Sequence, residues 1–140
     1  MIQALIDFLK KLFEGSAVER PSPQVTVKAE DINYDDETHT LTIRNFPSRP
    51  IITTVTDTNS MDPFIDAGQM IILQPDEPAK VGDIAMYAAD PQYWGDTNYI
   101  LHCIIGERDD YWIFKGDNNK TSDPPVPKEA VVARLKAVFN

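Results

Sequence analysis

Three places in this 140-residue chain carry side chains that could do chemistry together: Ser60, His102 and the segment 116–123. Ser60 stands in Thr58-Asn59-Ser60-Met61-Asp62-Pro63, where a β-like run over 51–56 gives way to a turn. A serine hydroxyl is a weak nucleophile. It becomes one when a base takes its proton and fixed donors hold the oxyanion that forms. His102 is the histidine inside an apolar run, Tyr99-Ile100-Leu101-His102-Cys103-Ile104-Ile105. A single histidine in such a run more often packs than reacts. His39, beside an acidic turn, reads as a surface residue. The segment 116–123, Gly-Asp-Asn-Asn-Lys-Thr-Ser-Asp, sets Asp117 and Asp123 six positions apart in a loop after a strand. Asp and Asn offer the hard oxygens that calcium prefers. The EF-hand pattern fails, because a loop starting at Asp117 has Ser122 where the glycine belongs and Lys128 where the bidentate glutamate belongs. An Asn-rich turn is one remaining reading. The other is a carboxylate that orients an imidazole.

The elements that must position these residues are short. Apolar runs at 70–73, 84–88, 99–105 and 111–115 are separated by Gly, Pro and Asp clusters, and 106–110 reads as a polar hairpin turn. That spacing predicts a mainly β, compact fold. Upstream, 25–28 and 40–44 alternate around an acidic turn at 35–38 and read as a hairpin. The run 131–139 fits neither helix nor strand period cleanly. The segment 93–96, Tyr-Trp-Gly-Asp, reads as a loop tip that either meets a partner or folds its aromatics back. The first fourteen residues repeat apolar side chains (Ile2, Leu5, Ile6, Leu9, Leu12, Phe13) at helical spacing, with Gly15 as the stop. This amphipathic helix packs on the domain or on a partner or second copy. Lying on a membrane surface beside Lys10 and Lys11 is the alternative. Residues 15–24, with Gly, Ser and two prolines, read as a linker, leaving 25–140 as the β domain, divided into the hairpin (25–50) and the core (51–140).

The chain is long enough for one core, and 42% of its residues are hydrophobic. A formal net charge of -9 argues against a nucleic-acid groove, which needs clustered Lys and Arg. One cysteine, Cys103, allows no intramolecular disulfide. No run is long enough to span a bilayer and the N-terminus does not read as a secretory signal, so the expectation is a soluble chain, cytoplasmic, membrane-peripheral or carried in a virion.

Taken in order, Ser60-Met61-x-Pro63, Val81-Gly82-Asp83-Ile84, the strand bearing His102, and Gly116-Asp117-Asn118-Asn119 with Asp123 resemble the motif set of type I signal peptidases. The likeness is to the archaeal and endoplasmic-reticulum branch, where histidine replaces the lysine base. LexA-type self-cleaving repressors share that wider fold. The resemblance covers roughly 54–139. It implies a serine endopeptidase, needing neither cofactor nor metal, that cuts an extended polypeptide after small residues. Ser60 would be the nucleophile, His102 the base, and Asp123 (rather than Asp117, which would brace the loop) the carboxylate behind the imidazole. The backbone N–H of Ser60 would hold the oxyanion, aided by Asn59 or Thr58, while Met61 and Phe64 would line apolar subsites. Cys103 departs from the family, which commonly has Arg there; as the neighbour of His102 on a strand it faces the other way and reads as packing. The other departure is the missing membrane anchor. Two further readings stand beside the peptidase. One is a non-catalytic binding or assembly module, such as a phage or mobile-element structural protein. The other is a self-cleaving regulator, disfavoured by the lack of a helix-turn-helix and of an Ala-Gly or Cys-Gly pair in the arm.

Overall fold

The computed structural model describes residues 1–13 and 27–139. It is the mainly β architecture that the strand spacing predicts: a helix α1 (Ile2–Phe13), a separate two-stranded hairpin, and a curled seven-stranded sheet. The hairpin pairs β1 (Ile32–Asp35) with β2 (Thr40–Ile43). The sheet holds β3 (Ile51–Thr54), β4 (Met70–Pro75), β5 (Ile84–Ala88), β6 (Tyr99–Glu107), β7 (Tyr111–Lys115), β8 (Val126–Pro127) and β9 (Val131–Phe139). Their order is β3-β4-β9-β5-β6-β7-β8, and every pair is antiparallel. A one-turn helix, α2 (Pro91–Trp94), joins β5 to β6.

Two expected elements move. The first hairpin strand is 32–35 rather than 25–28, of which 25 and 26 lie outside the described residues, as does the expected linker 15–24. The reason is local. Asp35 Oδ1 accepts from the backbone N–H of Glu37 (2.9 Å) and of Thr38 (3.0 Å), which closes a tight turn directly behind 32–35. A partner at 25–28 would need a far longer loop to reach β2. The polar turn is also shorter than 106–110, because Gly106 and Glu107 still pair with β7 beyond a bulge, leaving Arg108 N–H to bond Tyr111 O at 2.9 Å.

β9 is the strand whose periodicity is unreadable, and its pairing explains why. Opposite β4, Leu135 and Ala137 face Leu73 and Ile72, so Lys136 is an extra residue; opposite β5, Val131 and Ala133 face Tyr87 and Met86, so Val132 is another. Two bulges in nine residues break the alternation that marks a strand. β9 nonetheless sits between β4 and β5 and ties the two halves of the core together. One half gathers Ala85, Tyr87, Ile104, Trp112, Phe114 and Val126, the other Ile71, Leu73 and Ala133.

β9 also carries a buried ionic network. Arg134 Nε lies 2.9 Å from Asp83 Oδ2, and Arg134 donates from its two terminal nitrogens to Asp83 Oδ1 (3.1 Å) and Glu77 Oε2 (3.0 Å). Lys136 bonds the same Glu77 oxygen. Asp83 and Arg134 are both buried, so each charge is held in place by the other. The Gly82-Asp83 step just before β5 is thereby structural: Gly82, at φ 97, lets the chain turn so that its N–H meets Ile104 O at 2.8 Å. Asp83→Ala strands the guanidinium, and an urea melt should show a loss of about 3–5 kcal/mol. A loss below about 1 kcal/mol would mean that the network is not holding β9 to β5.

α1 forms as its spacing predicts, but Ile2, Leu5, Ile6, Phe8 and Leu9 are all exposed. That part of its apolar face is open among the described residues. Among the described residues no helix is long and apolar enough to cross a membrane.

Candidate active site

β6 places His102 between two supports. Its backbone pairs with Ala85 on β5, and its side chain is almost wholly buried. Ser60 comes from the other side, at the start of the turn that follows β3. That turn is held by the loop after β7: Asn118 N–H donates to Ser60 O (2.9 Å), Asn118 Nδ2 donates to Asn59 O (2.9 Å), and Asp117 N–H approaches Met61 Sδ at 3.5 Å. Asn59 takes φ 57, the left-handed conformation that asparagine tolerates better than most residues. With its amide nitrogen turned to donate, Asn59 reaches Asp57 and Asp62, each at 3.2 Å.

The three sequence candidates meet in one line. Ser60 Oγ is 3.0 Å from His102 Nε2, and His102 Nδ1 is 2.6 Å from Asp123 Oδ2. An ionised carboxylate can only accept, so Nδ1 carries the proton and Nε2 is left to accept from the Ser60 hydroxyl. Thr58 Oγ1 lies 3.1 Å from Ser60 Oγ, and with the serine proton directed at His102, Thr58 is the donor of that pair. Asp123 is fixed twice more. Its N–H bonds Phe114 O at 2.8 Å, and its Oδ2 accepts a second hydrogen bond from the Tyr87 hydroxyl at 2.8 Å. Burial first, then the hydrogen bond to Asp123 and its charge, drive the Tyr87 phenol far above its ordinary range, so it remains a donor.

Asp117 is not in this line. Its side chain is exposed, and its backbone, not its carboxylate, braces the turn that carries Ser60. Met61 is buried and, with Asn59, lines the cleft. Phe64 does not. It is 72% exposed and stands outside the cleft, because the turn closes on itself (Phe64 and Ile65 N–H both bond Met61 O, at 3.2 and 3.1 Å) and sends Met61 inward and Phe64 out. Asp62 keeps one buried oxygen without a hydrogen-bond partner, and burial, then the charges of Asp66 and Asp57, raise its carboxyl above the usual range.

The open cleft holds about 580 Å³ between the end of β3 and the start of β6. Its walls are chiefly apolar, with Val55, Met61, Ile71, Met86 and Leu101 around the polar group formed by Thr58, Ser60 and His102. Trp94 closes one side. Of the two readings of 93–96, Trp94 takes the fold-back: Asp90 caps α2 by accepting from Gln92 N–H at 2.9 Å, and the Trp94 and His102 rings meet at a steep angle with centroids 6.4 Å apart. Tyr93 remains exposed.

Reading the sequence missed Tyr87 and Trp94. Tyr87 had a signal, since a tyrosine in the middle of an apolar strand needs a hydrogen-bond partner once buried. For Trp94 the sequence offers a fold-back of 93–96 but not its destination, which depends on where the β5–β6 connection folds.

Cys103, the next residue on β6, is half-buried, with its thiol 3.9 Å from Gly82 O and 3.8 Å from Ile104 O. Burial, then the charges of Asp117 and Asp83, push the thiol up against a smaller opposing effect of Lys115. A raised pKa leaves less thiolate at any given pH. Iodoacetamide at pH 8 should therefore modify folded Cys103 more slowly than it modifies the urea-unfolded chain, and Cys103→Ser should keep whatever activity the wild type has. Equal rates in the folded and unfolded protein would contradict this placement. Among the described residues no group of three His, Cys, Asp or Glu side chains is disposed to hold a metal ion. Comparison with family models, with curated proteins and with solved structures finds no match, so the chemistry of this site rests on the chain's own residues.

Proposed function

We propose that the protein is a serine endopeptidase of signal-peptidase-like type that cuts an extended polypeptide after small residues. The observation that carries this reading is the line from Ser60 Oγ through His102 to Asp123, with spacings of 3.0 and 2.6 Å, at the edge of an open cleft. In the first step Ser60 Oγ attacks the scissile carbonyl carbon while its proton passes to His102 Nε2. We assign the oxyanion that forms to the Ser60 N–H, with the Thr58 hydroxyl, 3.1 Å from Ser60 Oγ, beside it. The imidazolium then protonates the leaving amine as the C–N bond breaks, giving an acyl-Ser60 ester. Water, deprotonated by the same nitrogen, releases the acid and restores the serine. Asp123 keeps Nδ1 protonated throughout and offsets the positive charge of the imidazolium.

The test is cleavage of extended peptides with small residues before the scissile bond, near neutral pH, with product masses locating the cut. Ser60→Ala and His102→Ala should each lower turnover by on the order of 10⁴-fold or more. No cleavage by the folded wild type, with or without lipid or detergent, would overturn the reading. The second reading, a binding or assembly role, is favoured by the exposed apolar face of α1 alone. As a non-catalytic module the protein would bind through that face and cut no peptide, which is the outcome the same assay separates.

A further inference from the structure

We infer that Tyr87 is a positioning residue of this site, a fourth member that holds Asp123 in the orientation and charge state that His102 needs. The inference rests on the peptidase reading for its catalytic consequence, but not for its geometry. Asp123 Oδ2 is shared: His102 Nδ1 donates to it at 2.6 Å and the Tyr87 hydroxyl at 2.8 Å. Both donors and the acceptor are buried: Tyr87 with 1% of its surface exposed, the His102 side chain with 4% and the Asp123 side chain with 3%. In so dry a setting an oxygen with one donor and an oxygen with two differ greatly in proton affinity, since each hydrogen bond spreads the negative charge and favours the ionised form.

The ring itself is not free to move. Tyr87 packs against Phe114 with centroids 4.7 Å apart, and Phe114 in turn accepts the Asp123 N–H through its carbonyl. Its backbone on β5 pairs with Ile100 of β6 and, past the bulge, with Val131 of β9. The bulge between Met86 and Tyr87 occurs at this residue. Three strands therefore aim one hydroxyl at one carboxylate oxygen. Tyr87 touches neither Ser60 nor the cleft, so its effect on reaction passes through Asp123 and His102.

Two consequences follow for the imidazole. The second donor fixes which oxygen faces Nδ1, and so the tilt that brings Nε2 toward Ser60. It also draws charge from the oxygen that faces the imidazolium. Without the phenol that oxygen carries more charge and attracts a protonated His102 more strongly. The other groups bearing on the ring are the hydroxyl of Ser60 at Nε2 and the edge of Trp94, neither of them charged.

The test is Tyr87→Phe, which keeps the ring, its packing on Phe114 and the strand, and deletes one oxygen. With only two histidines in the chain, proton NMR in wild type and in a His39→Ala background identifies the His102 titration directly. Tyr87→Phe should move the His102 midpoint to higher pH. In cleavage assays the acid limb of kcat/KM should move the same way, and kcat should fall by about ten- to a hundredfold while KM is held. An unmoved His102 midpoint in folded Tyr87→Phe overturns the inference, whatever the activity does. The titration is read without substrate, so a shifted midpoint in a protein that cuts no peptide would retire the peptidase reading and leave the Tyr87 coupling standing. Should Tyr87→Phe not fold, the wild type decides: a slowly exchanging phenolic proton with a cross-peak to the His102 Nδ1 proton is expected, and a Tyr87 hydroxyl in free exchange with water overturns the inference.

Discussion

Asp123→Asn should lower kcat on a cleavable peptide by about 10⁴-fold, while Asp117→Asn should stay within a few-fold of wild type. The contrast follows from what each carboxylate touches. Asp123 receives His102 Nδ1 at 2.6 Å and is buried with it. An amide in its place can turn its NH₂ toward Nδ1, and the imidazole then carries its proton on Nε2, the nitrogen that must accept from Ser60. The serine loses its base although every atom stays near its place. Asp117 contributes its backbone N–H to Met61 Sδ and leaves its side chain exposed, so an amide there changes little. Equal losses in the two variants would mean that the loop after β7, rather than the Asp123 carboxylate, governs the site.

Gly116→Ala is expected to cost more than 10²-fold in kcat/KM, with the protein still folded. A Cβ at this position would lie 2.6 Å from Ser60 O, 2.7 Å from Asn119 Nδ2 and 2.9 Å from His102 Nε2. The amide of Asn119 can swing away. The other two cannot yield without cost, because one is the backbone of the turn that carries Ser60 and the other is the nitrogen that sits 3.0 Å from Ser60 Oγ. A methyl group therefore acts as a wedge between base and nucleophile, and a misplacement of about 1 Å suffices for a loss of this size. Asn118→Ala is the companion measurement, since it removes the side-chain bond to Asn59 O but keeps the backbone bond to Ser60 O. It should cost less than Gly116→Ala. Wild-type kinetics in Gly116→Ala would show that the loop does not approach the site as described.

The outline of the fold was legible because most of its strands lie between strong turn signals. Ile84–Ala88 and Tyr111–Lys115 begin and end where Gly, Pro and Asp say they should. The ambiguity of 131–139 was equally physical, since the extra residues Val132 and Lys136 erase the alternation. The hairpin strand was misplaced because 25–28 alternates as well as Ile32–Asp35 does. What decides between them is the Asp35 turn, which depends on backbone geometry. At the site, Ser60, His102 and Asp123 were legible as residue types in a given order. Their meeting requires β6 to pass behind the turn after β3, and no local pattern encodes that. Phe64 leaves the cleft for a related reason: three residues after Met61 in sequence, it lies across a closed turn in space. Tyr87 reaches the site from β5 and Trp94 from the β5–β6 connection, and neither belongs to a motif.

The central claim is that His102 makes Ser60 a nucleophile. Acylation with p-nitrophenyl acetate, quenched in acid and read by intact mass and peptide mapping, tests it most directly. The wild type should gain one acetyl group on the peptide that contains Ser60, and both Ser60→Ala and His102→Ala should lose it. A folded wild type that gains nothing, or labelling of Ser60 undiminished in His102→Ala, would contradict the claim.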